Sequence, residues 1–298
     1  MTDEDSADNR WQGFRPDPRP LEAGLHFVAT PIGAARDITL RALDILAKAD
    51  VLAAEDTRTL RHLMEIHGVA LGARRIVAYH DHNGERVRPL LLARLAEGMS
   101  VAYASEAGTP LVADPGFPLA REAIAAGHAV RAAPGPSALL AALTVAGLPT
   151  DQFHFAGFLP ATRAARRRAI AALRQVPGTL VFYESPKRVR ELLADLCEEL
   201  GKERQGALCR ELTKRFEESR RGSLGTLLAE MGDLVPRGEF VVLVGAAPAA
   251  PPDRNDLETE LARALPGRHL KDVAAEIATR HGLPRRDVYK LALEVKQR

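Results

Sequence analysis

Leu25-His-Phe-Val-Ala-Thr-Pro-Ile-Gly33 sets an apolar run of strand length directly against a cluster of turn formers, and Val101-Ala-Tyr-Ala-Ser-Glu-Ala-Gly-Thr-Pro110 repeats the arrangement. Short apolar runs at 25–29, 51–54, 75–79, 101–105 and 129–133 alternate with segments at 38–48, 58–66, 86–97 and 117–126 whose apolar residues recur at helical spacing. Such alternation predicts an α/β fold with a parallel sheet and crossover helices. An alanine- and leucine-rich helix at 137–146 runs into Gly147-Leu-Pro-Thr-Asp151, whose stacked turn formers mark a boundary. A second α/β unit follows, with strands expected at 153–157, 179–183, 207–210 and 240–245 and helices at 163–175, 186–200 and 224–231.

The ends read differently. Residues 1–22 open on MTDEDSADNR and continue through a proline-rich stretch, the composition of a disordered arm. Residues 248–256 read as a linker. Beyond it, 257–298 carries a helix, a Gly282-Leu-Pro turn and a second helix, the pattern of a helix-turn-helix. The organisation expected is therefore an arm at 1–22, an N-terminal α/β domain at 23–148, a C-terminal α/β domain at 149–247, the linker, and a small helical unit. With 298 residues and 46% of them apolar, the chain is long enough for two cores.

Composition excludes several classes. Cys197 and Cys209 lack CxxC spacing, so neither a disulfide scaffold nor a zinc ribbon is indicated. The longest near-apolar stretch, 138–148, falls short of the roughly 20 residues of a membrane span, and the acidic start is not a signal peptide, which predicts a cytoplasmic protein. Lys and Arg total 41 against 39 Asp and Glu, a net +2 that recruits no polyanion by itself. Charge is instead clustered: four arginines fall within 163–168, and 263–298 holds nine Lys/Arg against four Asp/Glu.

Gly/Pro clusters follow the apolar runs at Thr30-Pro-Ile-Gly33, Glu106-Ala-Gly-Thr-Pro110, Asp114-Pro-Gly116 and Pro134-Gly-Pro-Ser-Ala138. Loops at strand C-termini line the ligand crevice of a parallel sheet, so the four together predict a small-molecule site. None is a GxGxxG fingerprint or a Walker A loop. His80-Asp-His82 has the residue types of a metal site without further ligands, and no metal is expected.

At these residues the chain resembles the tetrapyrrole-methylase-type S-adenosylmethionine enzymes, and within them the bacterial small-subunit ribosomal RNA cytidine 2'-O-methyltransferases. The resemblance runs from about residue 25 to 245. It rests on Ala29-Thr-Pro-Ile-Gly33, Ala54-Glu-Asp-Thr-Arg58, His80-Asp-His-Asn83, Ser105 to Pro110, Asp114-Pro-Gly116, Gly157-Phe-Leu-Pro160, Phe182-Tyr-Glu-Ser-Pro186 and Arg210-Glu-Leu-Thr-Lys214, in that order. The chain departs from the family at Glu106, where an aspartate is usual, at Ala34, where asparagine is usual, and at Gly84, which interrupts His-Asn-Glu.

The resemblance implies two α/β domains around S-adenosylmethionine, a homodimer, and methyl transfer to a ribose hydroxyl of small-subunit ribosomal RNA, free or within the assembled 30S subunit. Pro31, Gly33, Glu106, Gly108, Thr109, Pro134, Gly135, Ser137 and Ala138 become the cofactor-binding candidates. Ser137 is equally suited to a plain helix N-cap, and Asp114 to fixing a turn. Glu184 is the candidate base or hydroxyl orienter, with Arg210 and Lys214 on the ribose-phosphate backbone; a structural ion pair is the competing account of each. Arg58, His82, Asn83, Arg163, Arg166, Arg167 and Arg168 are the candidate RNA contacts. Two further functions remain open on the residues alone: methylation of a tetrapyrrole or protein side chain on the same fold, and a non-enzymatic nucleic-acid-binding ligand sensor.

Overall fold

The structure, a computed structural model, describes residues 14–232, 237–247 and 253–297. It divides into two compact units, Met1–Ala246 and Ala247–Arg298.

In the first unit, β1 (Gly24–Val28), β2 (Val51–Ala54), β3 (Ile76–Ala78), β4 (Ser100–Ala104) and β5 (Val130–Ala133) form an all-parallel sheet in the order β3-β2-β4-β1-β5. Every residue of β1 and β4 is buried, which is why these strands read as continuous apolar runs rather than alternating ones. The crossovers are α1 (Leu40–Lys48), α2 (Thr57–Ile66), α3 (Gly84–Ala96) and α4 (Phe117–Ala125). They cover both faces: Leu43, Leu46, Leu60 and Met64 pack on one, Val87, Leu91, Leu95 and Leu119 on the other. Each fully buried Leu contributes roughly 1.5–3 kcal/mol.

A second sheet follows, ordered β6-β7-β10-β8-β9, from β6 (Phe153–Phe158), β7 (Thr179–Glu184), β8 (Gln205–Arg210), β9 (Glu218–Ser223) and β10 (Phe240–Val244). Only β6 and β7 are parallel. β10 is central and antiparallel to both neighbours, so that Glu184, Phe240 and Arg210 stand in one row across the sheet. One face is covered by α6 (Arg163–Ala172), α7 (Val189–Leu200) and α8 (Leu224–Glu230). The other is covered by α5 (Ala138–Ala146), whose Ala142, Leu143 and Ala146 meet Val181, Ala207, Cys209, Val241 and Leu243. The helix grouped by sequence with the first sheet thus packs on the second.

The ends also differ from expectation. Residues 1–13 of the arm lie outside the described residues, but 14–22 are tied to the first core. Phe14 and Leu21 pack against it, Asp17 N–H donates to Asp44 Oδ1 at 2.8 Å, and Lys48 Nζ donates to Arg19 O at 2.7 Å. Of the expected linker, 248–252 lies outside the described residues and 253–256 begins a helix: Asp253 caps α9 (Arg254–Ala264). With α10 (Leu270–His281) and α11 (Arg285–Gln297) it forms a three-helix unit around Leu257, Leu261, Val273, Ile277, Val288 and Leu291. Among the described residues no helix is long and apolar enough to cross a membrane.

Candidate active site

Loops leaving four of the five parallel strands converge on one cavity of about 420 Å³. They bring Ile32 after β1, Glu55 after β2, Glu106, Gly108, Thr109 and Asp114 after β4, and Ser137 and Ala138 after β5. From the second sheet come Tyr183 and Glu184 at the end of β7, and Glu239 beside β10. Both sheets therefore contribute walls, as the clustered turn formers led one to expect for the first of them.

The loops are cross-linked before any ligand arrives. Thr30 and Gly108 exchange backbone hydrogen bonds of 2.9 and 3.0 Å. Ser105 Oγ donates to Gly108 O at 2.7 Å, and Thr109 Oγ1 donates to Pro136 O at 2.9 Å. The Ser137 hydroxyl makes no capping bond, so the plain N-cap is not what this serine does. Leu139 N–H, one residue into α5, donates to Tyr183 Oη at 2.9 Å and ties the helix start to the second sheet.

Carboxylates dominate the electrostatics. Burial, reinforced by Glu55 and Glu106, pushes the Asp114 carboxyl up to about 7. Burial likewise raises Glu55, outweighing a hydrogen bond from the Glu106 backbone that favours the charged form; the charges of Glu106 and Asp81 act in the same direction as burial. Asp114 Oδ2 is buried without a hydrogen-bond partner, as is the hydroxyl of the fully buried Tyr103. Asp114 and Glu55 lie far apart along the chain, and their mutual effect exists only once β2 and β4 pair.

The remaining candidates separate. Pro31, Gly33, Pro134 and Gly135 do not line the cavity. A Cβ at Gly33 would stand 2.5 Å from Lys214 Cγ, and one at Gly135 would stand 2.9 Å from Ala29 Cβ, so both glycines serve close packing of the chain on itself. Glu184 is buried; Ser185 N–H donates to its Oε1 at 2.8 Å, and its Oε2 lies 3.3 Å from Arg188 Nη2, close enough for ion pairing but poorly aligned for a hydrogen bond. Lys214 Nζ is held between Glu211 and Glu239, 2.9 Å from each. Burial lowers its pKa, but these two carboxylates outweigh that and leave it raised. It is a strut, not the free phosphate clamp expected. Arg210 keeps a long contact of 3.7 Å to Glu218.

The expected RNA contacts are corrected most. Arg166 is 1% exposed and bonds Asp195 at 2.7 Å and Glu191 at 3.0 Å. Arg163 pairs with Asp195 and Glu198, and Arg167 with Glu198 and Glu199. Only Arg168 of that run carries no ion pair among the described residues. The Asn83 amide accepts from His80 N–H and donates to Ala78 O, both at 2.9 Å, and so closes a turn. Arg58 is exposed beside Asp56, which caps α2, and His82 is exposed against the His80 ring. No group of three His, Cys, Asp or Glu able to hold a metal occurs among the described residues.

Comparison with known proteins adds an independent line. Residues 24–228 match the family model described as Tetrapyrrole (Corrin/Porphyrin) Methylases, and residues 251–296 match the RsmI C-terminal HTH domain. A Mesorhizobium japonicum protein named Ribosomal RNA small subunit methyltransferase I is 49% identical, over 93% of this chain and 94% of its own. An Escherichia coli O157:H7 protein of the same name is 42% identical over 91% and 94%. The solved structure of a diphthine synthase superposes with a TM-score of 0.58 at 19% identity, covering 74% of this chain and 89% of that one, a likeness of fold.

Proposed function

The chain belongs to the tetrapyrrole methylase family, and from that premise we propose that it methylates the 2'-hydroxyl of a cytidine ribose in small-subunit ribosomal RNA, with S-adenosylmethionine as donor. The observation that carries the substrate is the likeness, over nearly the full length of both chains, to proteins named for small-subunit ribosomal RNA.

The cavity suits the donor. Its Glu55 and Glu106 face a place where a sulfonium and an ammonium would sit, and Ile32, Val112, Ala138 and Val241 offer apolar wall. The start of α5, uncapped by Ser137, presents N–H groups to an anionic end. When bound there, S-adenosylmethionine supplies an electrophilic methyl group. The protein's part is to hold and orient: Glu106, Gly108, Thr109, Ser137 and Ala138 line the donor's side, and Glu184, fixed by Ser185 and Arg188, offers a rigid acceptor to the ribose from the second sheet. Positioning of this kind contributes up to roughly 7–11 kcal/mol.

RNA is held by the helical unit in this reading. Its Arg254, Arg268, Arg280 and His281 are neutralised by Glu258, Glu294, Glu276 and Glu260. Arg285, Arg286, Lys290 and Lys296 on α11 carry no ion pair among the described residues, and Tyr289 and Leu293 are exposed between them. Free cations with an interposed aromatic ring suit phosphates and an unstacked base. We place the protein in the cytoplasm as a homodimer acting on the assembled 30S subunit. Incubating unmodified small subunits with labelled S-adenosylmethionine and mapping the label should find it on one cytidine ribose; unlabelled RNA would overturn the reading.

A further inference from the structure

One loop of the cavity concentrates backbone strain. The non-glycine residues at positive φ among the described residues are Leu111 and Ala113, and Glu211 and Thr213. The first pair brackets Val112 and leads into Asp114-Pro-Gly116, where Gly116 adopts a φ of 119°. A Cβ at Gly116 would stand 2.9 Å from Leu111 Cδ2, so the loop is closed upon itself and its one carboxylate lines the cavity.

That carboxylate differs from its neighbours. Asp114 Oδ2 is buried and accepts no hydrogen bond. Glu184 Oε2 likewise accepts none, but Ser185 N–H donates to Glu184 Oε1 and Arg188 Nη2 stands 3.3 Å from Oε2, whereas Asp114 has neither a hydrogen bond nor an ion pair among the described residues. The Tyr103 hydroxyl, fully buried and also without a partner, lies within electrostatic reach of both Glu55 and Asp114. Leaving a buried acceptor unanswered is costly unless a ligand's O–H is to answer it.

We propose that Asp114 is the proton acceptor of the methyl transfer. As the ribose 2'-oxygen bonds the methyl carbon, the carbon–sulfur bond breaks with its electron pair left on sulfur, and the hydroxyl proton passes to Asp114 Oδ2. The donor's positive charge and the carboxylate's negative charge vanish together, so the site gains no net charge. This step rests on the reaction proposed above.

The groups around Asp114 set its readiness. Glu55 after β2, Glu106 after β4, and the phenols of Tyr103 on β4 and Tyr183 on β7 are within electrostatic reach, while Glu184 and Glu239 line the same cavity. Burial and the first two hold the carboxyl at about 7, close to where an acceptor working at neutral pH is most effective. Below that pH Asp114 is protonated and cannot accept, so the rate should rise with pH.

The test begins on the protein alone, with carbon-13-labelled aspartate followed by NMR against pH. One carboxyl should titrate near 7, vanish in Asp114→Asn, and move to lower pH in Glu55→Gln. Single-turnover methylation of unmodified small subunits at saturating RNA should then fall about 10²- to 10⁴-fold in Asp114→Asn. Calorimetric affinity for S-adenosylmethionine should survive the same change. Should Asp114→Asn fail to fold, the Glu55→Gln midpoint decides, because a merely structural Asp114 would leave the midpoint of the rate unmoved. Wild-type speed in folded Asp114→Asn, or no elevated carboxyl, would overturn the step alone. A wild-type enzyme that leaves the subunits unlabelled would overturn the reaction and the step with it.

Discussion

Asp114 carries a consequence for stability as well as chemistry. Its folded pKa of about 7 stands above the ordinary 3.8, so the native state binds more protons than the unfolded state between those values. Stability should therefore fall as pH rises across that window, the reverse of a salt-bridged carboxylate. Asp114→Asn, which mimics the protonated form, should raise stability by about 1–3 kcal/mol at pH 8 and leave it unchanged near pH 4. Urea titrations at the two pH values measure this. At the same scale, Gly135→Val should destabilise the fold through Ala29 rather than strip cofactor from an intact protein, because the added carbon meets the chain. Glu106, Gly108, Thr109, Ser137 and Ala138 were legible in sequence because turn formers after apolar runs point to strand C-termini. Pro31, Gly33, Pro134 and Gly135 share that signal but lie off the cavity, a distinction that spacing alone does not carry.

Between elements, the arginine run of α6 meets an acidic face of α7 built from Glu191, Asp195, Glu198 and Glu199. Asp195 is buried, so removing its inner partner strands a charge. Arg166→Ala should cost about 3–5 kcal/mol in chemical denaturation, whereas the outer, 61% exposed Arg163→Ala should cost less than about 1 kcal/mol. Both are committed to the acidic face of α7, so RNA affinity of the folded proteins should hardly move. The run looked like a phosphate contact because sequence shows the cations of one helix and not the partner helix lying across it. The central strands were legible from their apolar runs, but β9 was not: Glu-Ser-Arg-Arg-Gly-Ser is an edge strand with little to bury. α9 was hidden by the Pro/Ala stretch before it, although Leu257 and Leu261 stand at helical spacing.

Over the whole molecule, the helical unit has its own core, so its loss should leave the first unit and its cavity standing. Deleting residues 252–298 should weaken RNA binding while calorimetric S-adenosylmethionine affinity survives. Neutralising Arg285, Arg286, Lys290 and Lys296 together should flatten the slope of log affinity against log salt by roughly 3, one counterion or slightly less for each lost phosphate contact. An unchanged slope would assign RNA binding elsewhere. The sheet order β3-β2-β4-β1-β5 also has a consequence in time. β1 is wholly buried and interior to the sheet, yet its partners are β4 and β5, which end at Ala104 and Ala133. At a synthesis rate of about 5–20 residues per second, the strand waits roughly 5–20 s on the ribosome before both neighbours exist. For that interval the nascent chain carries a strand destined for full burial without its neighbours, and its yield in a cell should depend on whatever shields that strand from other growing chains.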